Sequence, residues 1–297
     1  MQEIKGYDTF AHMKQIHKGW SGERKYFIET KSNEQLLLRI ADYSKYKEKV
    51  CEVEMMHLLH NKGLPIPRPL HYGTCQNGKS VYVLYTWCEG KDAQDVLPTL
   101  PCDEQYNLGI TSGEVLRTIH SIEAPREQED WEQRFWRKVQ RNIHAYEQCG
   151  VVVPGAHLFK EFVQDNQHVL KNRPQTFQHG DYHTGNMVIS AEGILNIIDF
   201  NRHDFGDPWE EFNRIVWSAQ VSPNFATGQL RGYFQGEPPE GFFTALAFYI
   251  SSNALASIPW SIPFGEKQID VMKAQIKEVL AWYTNFQTVI PSWYISE

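Results

Sequence analysis

A short polar segment directly ahead of an apolar hairpin restricts the fold of this 297-residue chain more than any other stretch. The segment begins at His179 and reads HGDYHTGN. Two short apolar runs follow it, residues 187–190 and 194–198, and the turn sequence Ala-Glu-Gly at 191–193 separates them. Apolar runs of this length on either side of a glycine-containing turn predict a β-hairpin. The hairpin would bring the chain back beside the polar segment.

Three oxygen-bearing side chains in and after this segment indicate phosphoryl transfer. Asp181 and Asn186 are five positions apart, which is the spacing between the base Asp and the metal-binding Asn in the catalytic loop of kinases. Asp199 follows the second strand, in the position of the metal-binding Asp. Phosphoryl transfer needs an oriented hydroxyl, neutralised phosphates and bound metal ions, and carboxylate and amide oxygens suit Mg²⁺. The sequence therefore predicts Asp181 as the catalytic base, with Asn186 and Asp199 as Mg²⁺ ligands.

The same segment resembles the hallmark of the aminoglycoside phosphotransferase family, H-G-D-x-H-x-x-N followed by I-D-F. The later tripeptide Gly-Asp-Pro at 206–208 also fits this family. The resemblance covers most of the chain and is weakest after Phe225. It implies an α+β, bilobal protein-kinase-like fold. Residues 1–88 would form an N-terminal nucleotide-binding lobe with an antiparallel β-sheet and one main helix, and residues 89–297 a larger, mostly helical C-terminal lobe for catalysis and acceptor binding.

Local patterns in the first third of the chain predict strands around one helix. Residues 25–30 and 35–40 are β-prone and flank a turn, so they predict an antiparallel hairpin. Residues 45–61 carry apolar side chains at helical spacing. The prolines in residues 63–69 then predict an extended connector, and residues 80–86 predict another strand.

The rest of the chain reads as mostly helical after a break at residues 87–90, where we place the boundary between the lobes. Apolar periodicity predicts helices over residues 103–120, 131–146, 156–170, 209–219, 241–255 and 268–286.

The resemblance assigns nucleotide binding to two residues of the N-terminal lobe. Arg39 falls at the strand position of the phosphate-binding cation, where most relatives carry Lys, and Glu52 falls at the helix carboxylate that pairs with this cation. Arg can bind phosphate with its planar fork, but it is bulkier than Lys and not equivalent to it. The alternative is that Arg39 points into solvent beside an unrelated glutamate.

Two further segments would contact the nucleotide. Backbone amides around Ser21 and Gly22 could cradle phosphate, although a glycine-containing turn between strands can also be no more than a turn. The segment that includes Tyr85, Trp87 and Cys88 resembles the hinge whose backbone binds the edge of adenine.

Several other polar residues in the motifs are expected to act on structure. His179 would bond the backbone of the Asp199 turn. His183 would pack or form hydrogen bonds near the phosphate site, with contact to metal or nucleotide as its alternative. A zinc site of His179, Asp181 and His183 is the alternative that fewer residues support. Asp207 would cap the following helix, and Glu210 and Glu211 would face the positive end of that helix dipole.

Composition excludes several classes of partner. The chain has 36 acidic and 29 basic residues, a net charge of −7 and no long basic run, so no nucleic-acid partner is expected. No window approaches the ~20 apolar residues of a membrane span, and no membrane partner is expected. The five cysteines lack C-x-x-C spacing, which favours reduced thiols and a cytoplasmic location. We expect a monomer or a homodimer.

The predicted function is transfer of the γ-phosphoryl group of ATP or GTP to a hydroxyl of a small molecule. An aminoglycoside is the first candidate acceptor, although acidic residues are sparse in the aromatic-rich C-terminal third. A macrolide, an amino alcohol or the hydroxyl of an amino acid are alternatives, because one fold can serve all of them. A catalytically silent nucleotide-binding relative is the alternative from another class, suggested by Arg39 and by the poorly marked phosphate loop.

Overall fold

The chain forms two compact units in a computed structural model that describes residues 2–19 and 22–296. The first unit comprises the residues up to 93 together with residues 186–202, and the second comprises residues 94–185 and those from 203 onward. The first unit is therefore discontinuous in sequence. The functional division proposed between residues 88 and 89 stays a prediction.

The regular elements of the described residues are numbered in chain order. The strands are β1 Phe10–Ile16, β2 Arg24–Thr30, β3 Gln35–Asp42, β4 Pro69–Cys75, β5 Ser80–Thr86, β6 Lys91–Asp92, β7 Thr176–Gln178, β8 Met187–Ile189, β9 Leu195–Ile197 and β10 Asp204–Gly206. The α-helices are α1 Tyr46–Asn61, α2 Ala93–Val96, α3 Cys102–Ile119, α4 Trp131–Gln148, α5 Ala156–Asp165, α6 Ile215–Val221, α7 Pro223–Phe234, α8 Phe242–Ser261 and α9 Glu266–Trp282. Short 3₁₀ helices cover Tyr7–Thr9, Tyr43–Lys45, Leu97–Thr99, Gln167–Leu170, Thr184–Asn186, Phe200–Arg202, Glu210–Arg214 and Ile262–Phe264.

An antiparallel five-stranded sheet, in the order β1-β2-β3-β5-β4, forms most of the first unit. The predicted hairpin is confirmed as β2 and β3, in which Lys25 lies opposite Arg39. Strands β1 and β4 were not predicted, and both lie at edges of the sheet. An edge strand needs less apolar side-chain surface and tolerates proline at its first residue, which explains why Pro69 can begin β4.

The main helix of the first unit is α1, which was predicted within two residues. It buries Val53, Met56 and Leu59 at helical spacing. Leu38 and Ile40 of β3 are almost completely buried in a second cluster, which includes Ile4 and Tyr82. Burial of apolar surface at about 25 cal/mol per Å² supplies the main stabilisation of such a core.

The predicted second hairpin is also confirmed and forms strands β8 and β9 of a three-stranded sheet, in the order β6-β8-β9. Gly193 in its turn has a φ of +80°, a left-handed conformation that glycine adopts without steric cost. The amide of Ile197 also donates to the carbonyl of Pro65 at 2.9 Å, which ties the hairpin to the segment after α1.

In the second unit, helices α3 and α7 approach each other through glycines. A Cβ atom at Gly113 would lie 2.2 Å from the carbonyl oxygen of Gln229, and one at Gly228 would lie 2.2 Å from that of Tyr106. Helix α7 was not predicted, because its sequence PNFATGQLRGYF contains two glycines and lacks a simple apolar stripe. Close contact between the backbones of α3 and α7 therefore stabilises α7, in place of a stripe of apolar side chains.

Aromatic side chains fill another part of the second unit. Trp131 and Phe135 of α4 pack against Phe248 and Tyr249 of α8. The indole of Trp131 donates to the hydroxyl of Tyr249 at 3.0 Å, so the buried polar groups are paired.

The expectation that no segment is long and apolar enough to span a membrane was wrong. Among the described residues, Phe242–Phe264 reaches that length and apolarity. However, 67% of its most apolar window is buried inside the structure. A long apolar helix can belong either to a membrane span or to a protein core. Burial of most of its surface inside the structure is typical of a core helix.

Replacement of Gly113 by alanine tests the contact between α3 and α7. Alanine is favoured over glycine inside an isolated helix by about 1 kcal/mol. Here we expect Gly113→Ala to lower the free energy of unfolding by about 1–3 kcal/mol, because the new methyl group overlaps the backbone of α7. Urea denaturation measures this change. The control, Asn107→Ala on the exposed side of α3, should change stability by less than about 0.5 kcal/mol, and a stabilised Gly113→Ala would contradict the observed approach.

Candidate active site

Asp181 lies in the second unit, three residues after β7 ends. Its carboxylate is partly exposed, and Oδ1 lies 3.3 Å from Nε of Arg214 and 3.7 Å from Nε2 of His183. The amide of Gly185 donates to Nδ1 of His183 at 3.1 Å, which orients the imidazole. The predicted base is thus flanked by a guanidinium and an imidazole.

Buried hydrogen bonds hold the backbone on both sides of Asp181. Both carboxylate oxygens of Glu211 accept the amide hydrogen of Gly180, at 3.0 and 3.1 Å. On the other side, the hydroxyl of Tyr182 donates to the carbonyl of Ser112 at 2.7 Å, and the Tyr182 ring is buried. These contacts fix the loop that carries the predicted base against α3 and the Glu210–Arg214 helix.

Glu211 has a larger role than the sequence indicated. It was expected to face a helix dipole, but its side chain is 1% exposed and binds the backbone of the loop that carries Asp181. Burial raises the pKa of Glu211, but His120, His179 and the Gly180 amide together lower it by more than burial raises it. The pKa therefore lies below its ordinary value. The adjacent Glu-Glu pair after Gly-Asp-Pro was the available signal, since one of two adjacent residues in a helical turn faces inward.

Asp207 combines the expected cap with a second role. Its Oδ1 accepts the amide hydrogen of Trp209 at 3.0 Å. Arg173 also binds it through two hydrogen bonds, at 2.7 and 2.8 Å, and the Tyr249 hydroxyl donates to it at 2.5 Å. The guanidinium of Arg173 stacks on the Trp209 ring at 3.7 Å. Asp207 therefore joins the start of this helical turn to α8.

In the first unit, Asn186 and Asp199 lie at the same end of the β8–β9 hairpin. The amide of Ile198 donates to the carbonyl of Asn186 at 3.0 Å, which pairs the two chain segments beyond the strands. Asp199 has a φ of +70°, a region that Asp adopts more readily than most residues. The structure thus brings the two predicted Mg²⁺ ligands to one place.

A buried ionic cluster surrounds Asp199 and Arg39. Arg39 is 4% exposed; its NH1 lies 2.6 Å from Oδ1 of Asp199, and its Nε lies 2.6 Å from Oε2 of Glu23. Lys25 Nζ lies 3.2 Å from Oδ2 of Asp199. Burial raises the pKa of Asp199, but the charges of Arg39 and Lys25 lower it to well below its ordinary value. The carboxylate is therefore ionised at neutral pH.

The predicted ion pair between Arg39 and Glu52 was wrong. Glu52 instead accepts from Lys49, one helical turn away, at 2.6 Å and from the hydroxyl of Tyr85 at 2.5 Å. Lys49 also lies 2.7 Å from Glu23, which links the two halves of the cluster. A lysine of α1 satisfies the helix carboxylate, because positions three apart face each other on a helix. Arg39 is left to pair with Glu23 and Asp199.

The predicted phosphate loop is described only in part. Ser21 lies outside the described residues, and Gly22 is exposed in a bend. The neighbouring Gly19 has a φ of +102°, and a Cβ atom there would lie 3.0 Å from Lys25 Nζ. The loop backbone at residue 19 therefore lies directly against the Lys25 ammonium.

The predicted hinge has most of its amides engaged. Tyr85 is buried in the sheet, and the Trp87 amide donates to the carbonyl of Gln35 at 3.1 Å. Within residues 2–19 and 22–296, the backbone of Cys88 has no hydrogen-bond partner. Burial raises the pKa of the Cys88 thiol to about 11, so the side chain is neutral. The backbone of Cys88, rather than its side chain, is the hinge group that a ligand can use.

The donor set at the hairpin end fits the implied Mg²⁺. An ionised carboxylate and an amide are hard oxygen ligands, which Mg²⁺ prefers together with water and phosphate oxygens. In contrast, no group of three or more His, Cys, Asp or Glu side chains in the described part of the chain is arranged to hold a metal ion. The zinc alternative therefore lacks a ligand cluster.

An antiparallel sheet unit, a helical unit and this set of residues define a protein-kinase-like phosphotransferase. The family model described as "Phosphotransferase enzyme family" matches residues 12–243, most of the chain. The chain belongs to this family. The predicted resemblance, fold class and enzyme class, a small-molecule kinase that phosphorylates a hydroxyl, are confirmed.

One relative is the aminoglycoside 3'-phosphotransferase of Niallia circulans. It is 24% identical over 210 residues, which cover 68% of this chain and 76% of the relative.

Solved structures of aminoglycoside phosphotransferases share the fold. The GDP complex of aminoglycoside 2'-phosphotransferase-IIIa has a TM-score of 0.69 at 13% identity, covering 92% of this chain and 94% of that one. An apo form of APH(4)-Ia has a TM-score of 0.66 at 16% identity, with 91% and 94% covered. Spectinomycin phosphotransferase APH(9)-Ia, in complex with ADP and spectinomycin, has a TM-score of 0.63 at 18% identity, with 91% and 89% covered.

Glu211→Gln tests how the catalytic loop is held. The variant keeps one acceptor for the Gly180 amide but loses the charge, and we expect a loss of about 1–3 kcal/mol of unfolding free energy at pH 7. Because the folded-state pKa of Glu211 lies below its ordinary value of 4.5, the carboxylate stabilises the fold above this pH. The difference from the wild type should therefore narrow as the pH falls below 4.5.

Urea denaturation between pH 7 and pH 3 measures this difference. Glu210→Gln is the matched control, since the neighbouring Glu210 pairs with the half-exposed Lys138 and should contribute less than about 1 kcal/mol. A difference for Glu211→Gln that stays constant over the whole pH range would contradict the assigned charge state.

Proposed function

We propose that this enzyme transfers the γ-phosphoryl group of ATP or GTP to a hydroxyl of a small molecule, with Asp181 as the base. The observation that carries the proposal is the end of the β8–β9 hairpin. There, the ionised carboxylate of Asp199 lies beside two cations, and the backbone of Asn186 pairs with the segment just before it, which suits a magnesium nucleotide. Two of the solved relatives contain ADP or GDP, which supports a nucleotide as phosphoryl donor.

The residues divide the chemistry between them. When bound, Mg²⁺ would neutralise charge on the phosphates and would be held by Asn186 and Asp199. Arg39 places positive charge beside this carboxylate. Asp181 accepts the hydrogen of the acceptor hydroxyl and orients it. It takes the proton as the new bond to the γ-phosphorus forms and the bond from that phosphorus to the leaving nucleoside diphosphate breaks. The Cys88 backbone is the hinge group that we assign to the nucleobase.

Asp181→Asn tests the assignment of the base. The variant retains the shape of the side chain but cannot accept the proton, and we expect phosphotransfer to fall by about 10²- to 10⁴-fold. Nucleotide affinity should stay within about twofold, since Arg39 and Asp199 are unchanged. Transfer of radiolabelled phosphate and isothermal titration calorimetry measure the two quantities.

The exposed Asp165, at the end of α5, supplies the control Asp165→Asn, which should retain full activity. A wild-type protein that binds ATP but phosphorylates no acceptor in a panel of hydroxyl compounds would instead support the catalytically silent alternative.

An aminoglycoside is the first acceptor to test. The relative from Niallia circulans is an aminoglycoside 3'-phosphotransferase, and a solved relative, APH(4)-Ia, has been observed in a ternary complex with hygromycin B. Acceptors of this class are cationic, so a pocket that binds them benefits from carboxylates.

A second acceptor class is favoured by Arg214. Its Nε is buried and lies 3.3 Å from Oδ1 of Asp181, an ionic contact that lacks hydrogen-bond geometry. A cation in this position can bind a carboxylate on the acceptor and would repel an ammonium group. Amino acids that carry a hydroxyl satisfy this condition, since they present a carboxylate close to the reacting oxygen.

Arg214→Met separates the two acceptor classes. If the acceptor is a hydroxy amino acid, the variant should raise its KM by about tenfold or more, because a charge-assisted hydrogen bond is lost. Transfer to an aminoglycoside should not show this increase. Initial rates with both acceptor classes, for the wild type, Arg214→Met and the exposed-site control Arg126→Met, measure the ratio. Equal effects on both classes would contradict a specific role of Arg214 in carboxylate binding.

We also propose that the enzyme works in the cytoplasm. All five cysteines lie within the described residues and are free, which agrees with a reducing compartment.

A further inference from the structure

Lys25 is a cation at the nucleotide site that neither the family motifs nor the sequence analysis singled out. It lies on β2, directly opposite Arg39 on β3. Its side chain is 13% exposed, and its Nζ lies 3.2 Å from Oδ2 of Asp199. The backbone of Gly19, at the start of the predicted phosphate loop, lies against this ammonium. The carboxylate of Asp199 and the backbone of Gly19 therefore meet at Lys25 Nζ.

Arg39 alone is poorly placed to move towards a bound phosphate. Two of its nitrogens are already engaged, Nε with Glu23 and NH1 with Asp199, both at 2.6 Å. The third, NH2, is buried and has no hydrogen-bond partner among residues 2–19 and 22–296. A guanidinium held between two carboxylates keeps its plane fixed, and it can offer a ligand only the remaining nitrogen. A buried donor without a partner is costly, and its presence indicates that a ligand completes the site.

Lys25 has the freedom that Arg39 lacks. In the described part of the chain it makes a single contact with a carboxylate, at a longer distance than the Arg39 contacts. The ammonium is a compact charge on a flexible four-carbon chain with three donors. A shift of the ammonium towards the loop would release Oδ2 of Asp199 without breaking the pairs of Arg39.

Charge balance supports a ligand at this position. Glu23, Glu52 and Asp199 oppose Lys25, Arg39 and Lys49, so the cluster is neutral by itself. A magnesium nucleoside triphosphate adds negative charge to this neutral cluster. A cation that can move away from its carboxylate partner stabilises this added charge most.

We propose that Lys25 is a phosphate-binding residue of the nucleotide site, which donates its ammonium hydrogens to the β- or γ-phosphate and supplements Arg39. Lys25 exchanges its contact with Oδ2 of Asp199 for a contact with phosphate, so the same carboxylate oxygen becomes available to a metal ion. This inference rests on the proposed nucleotide-dependent function.

Binding of nucleotides of different phosphate number, measured by isothermal titration calorimetry with excess Mg²⁺, tests the proposal. Lys25→Met should lower the affinity for the triphosphate about 10- to 100-fold, the effect of losing a charge-assisted hydrogen bond. The affinity for adenosine or guanosine, which lack phosphate, should change by less than twofold. Lys25→Arg keeps the charge and should recover part of the affinity.

Lys31→Met is the matched control, since Lys31 lies in the exposed turn between β2 and β3 and its loss changes the net charge equally. It should leave triphosphate binding unchanged. Thermal unfolding of each variant checks that it is folded, and Lys25→Gln replaces Lys25→Met if the latter does not fold.

The outcomes separate this inference from the proposed function. A wild type that binds ATP or GTP, with Lys25 variants that bind it equally well, would overturn the role of Lys25 alone. Equal losses for nucleoside and triphosphate would also overturn it, because they would indicate a purely structural ion pair. A wild type that binds neither triphosphate would overturn the nucleotide-dependent function itself.

Discussion

The ion pairs around Arg39 are the interactions on which the functional part of the first unit depends. Removing a charge from water costs several kcal/mol unless it is paired, so each member of the cluster requires the others. Three elements and the hairpin contribute, with Lys25 on β2, Arg39 on β3, Lys49 and Glu52 on α1, and Asp199 after β9. The cluster thus joins sheet, helix and hairpin by charge, while the apolar core supplies most of the stability. A ligand that enters this site meets the Arg39 guanidinium in a position that two carboxylates already determine.

The second unit fixes the backbone of the loop that carries Asp181 without covering its carboxylate. Glu211 and Tyr182 bind the loop through buried groups, so the side chain of Asp181 stays partly exposed. If Asp181 is the base that we propose, such positioning favours catalysis, because a reacting group that is already oriented loses little entropy in the transition state. The close packing of α3 against α7 supports the arrangement, since Ser112, which receives the Tyr182 hydroxyl, precedes the contact glycine Gly113.

The sequence predicted elements whose signals are local and missed features that depend on tertiary packing. The β8–β9 hairpin has a glycine turn between two apolar runs, so its position and the pairing of its ends were foreseeable. The edge strands β1 and β4 were not, because an edge strand carries no clear alternation. Helix α7 was missed since its stability comes from backbone contact with α3. The Arg39–Glu52 pair was predicted by analogy, which overlooked the three-residue spacing that lets Lys49 compete for the carboxylate on α1.

The order of synthesis on the ribosome affects how the first unit can form. A chain leaves the ribosome from its N-terminus, and segments can begin to fold as they emerge. The sheet and α1 are complete once residue 93 has appeared, but Asp199 follows only after residues 94–185 have been made. Until then Lys25, Arg39 and Lys49 face only two carboxylates, which leaves one positive charge uncompensated in the nascent sheet. Arrival of the hairpin restores neutrality, so completion of this unit is coupled to synthesis of the other.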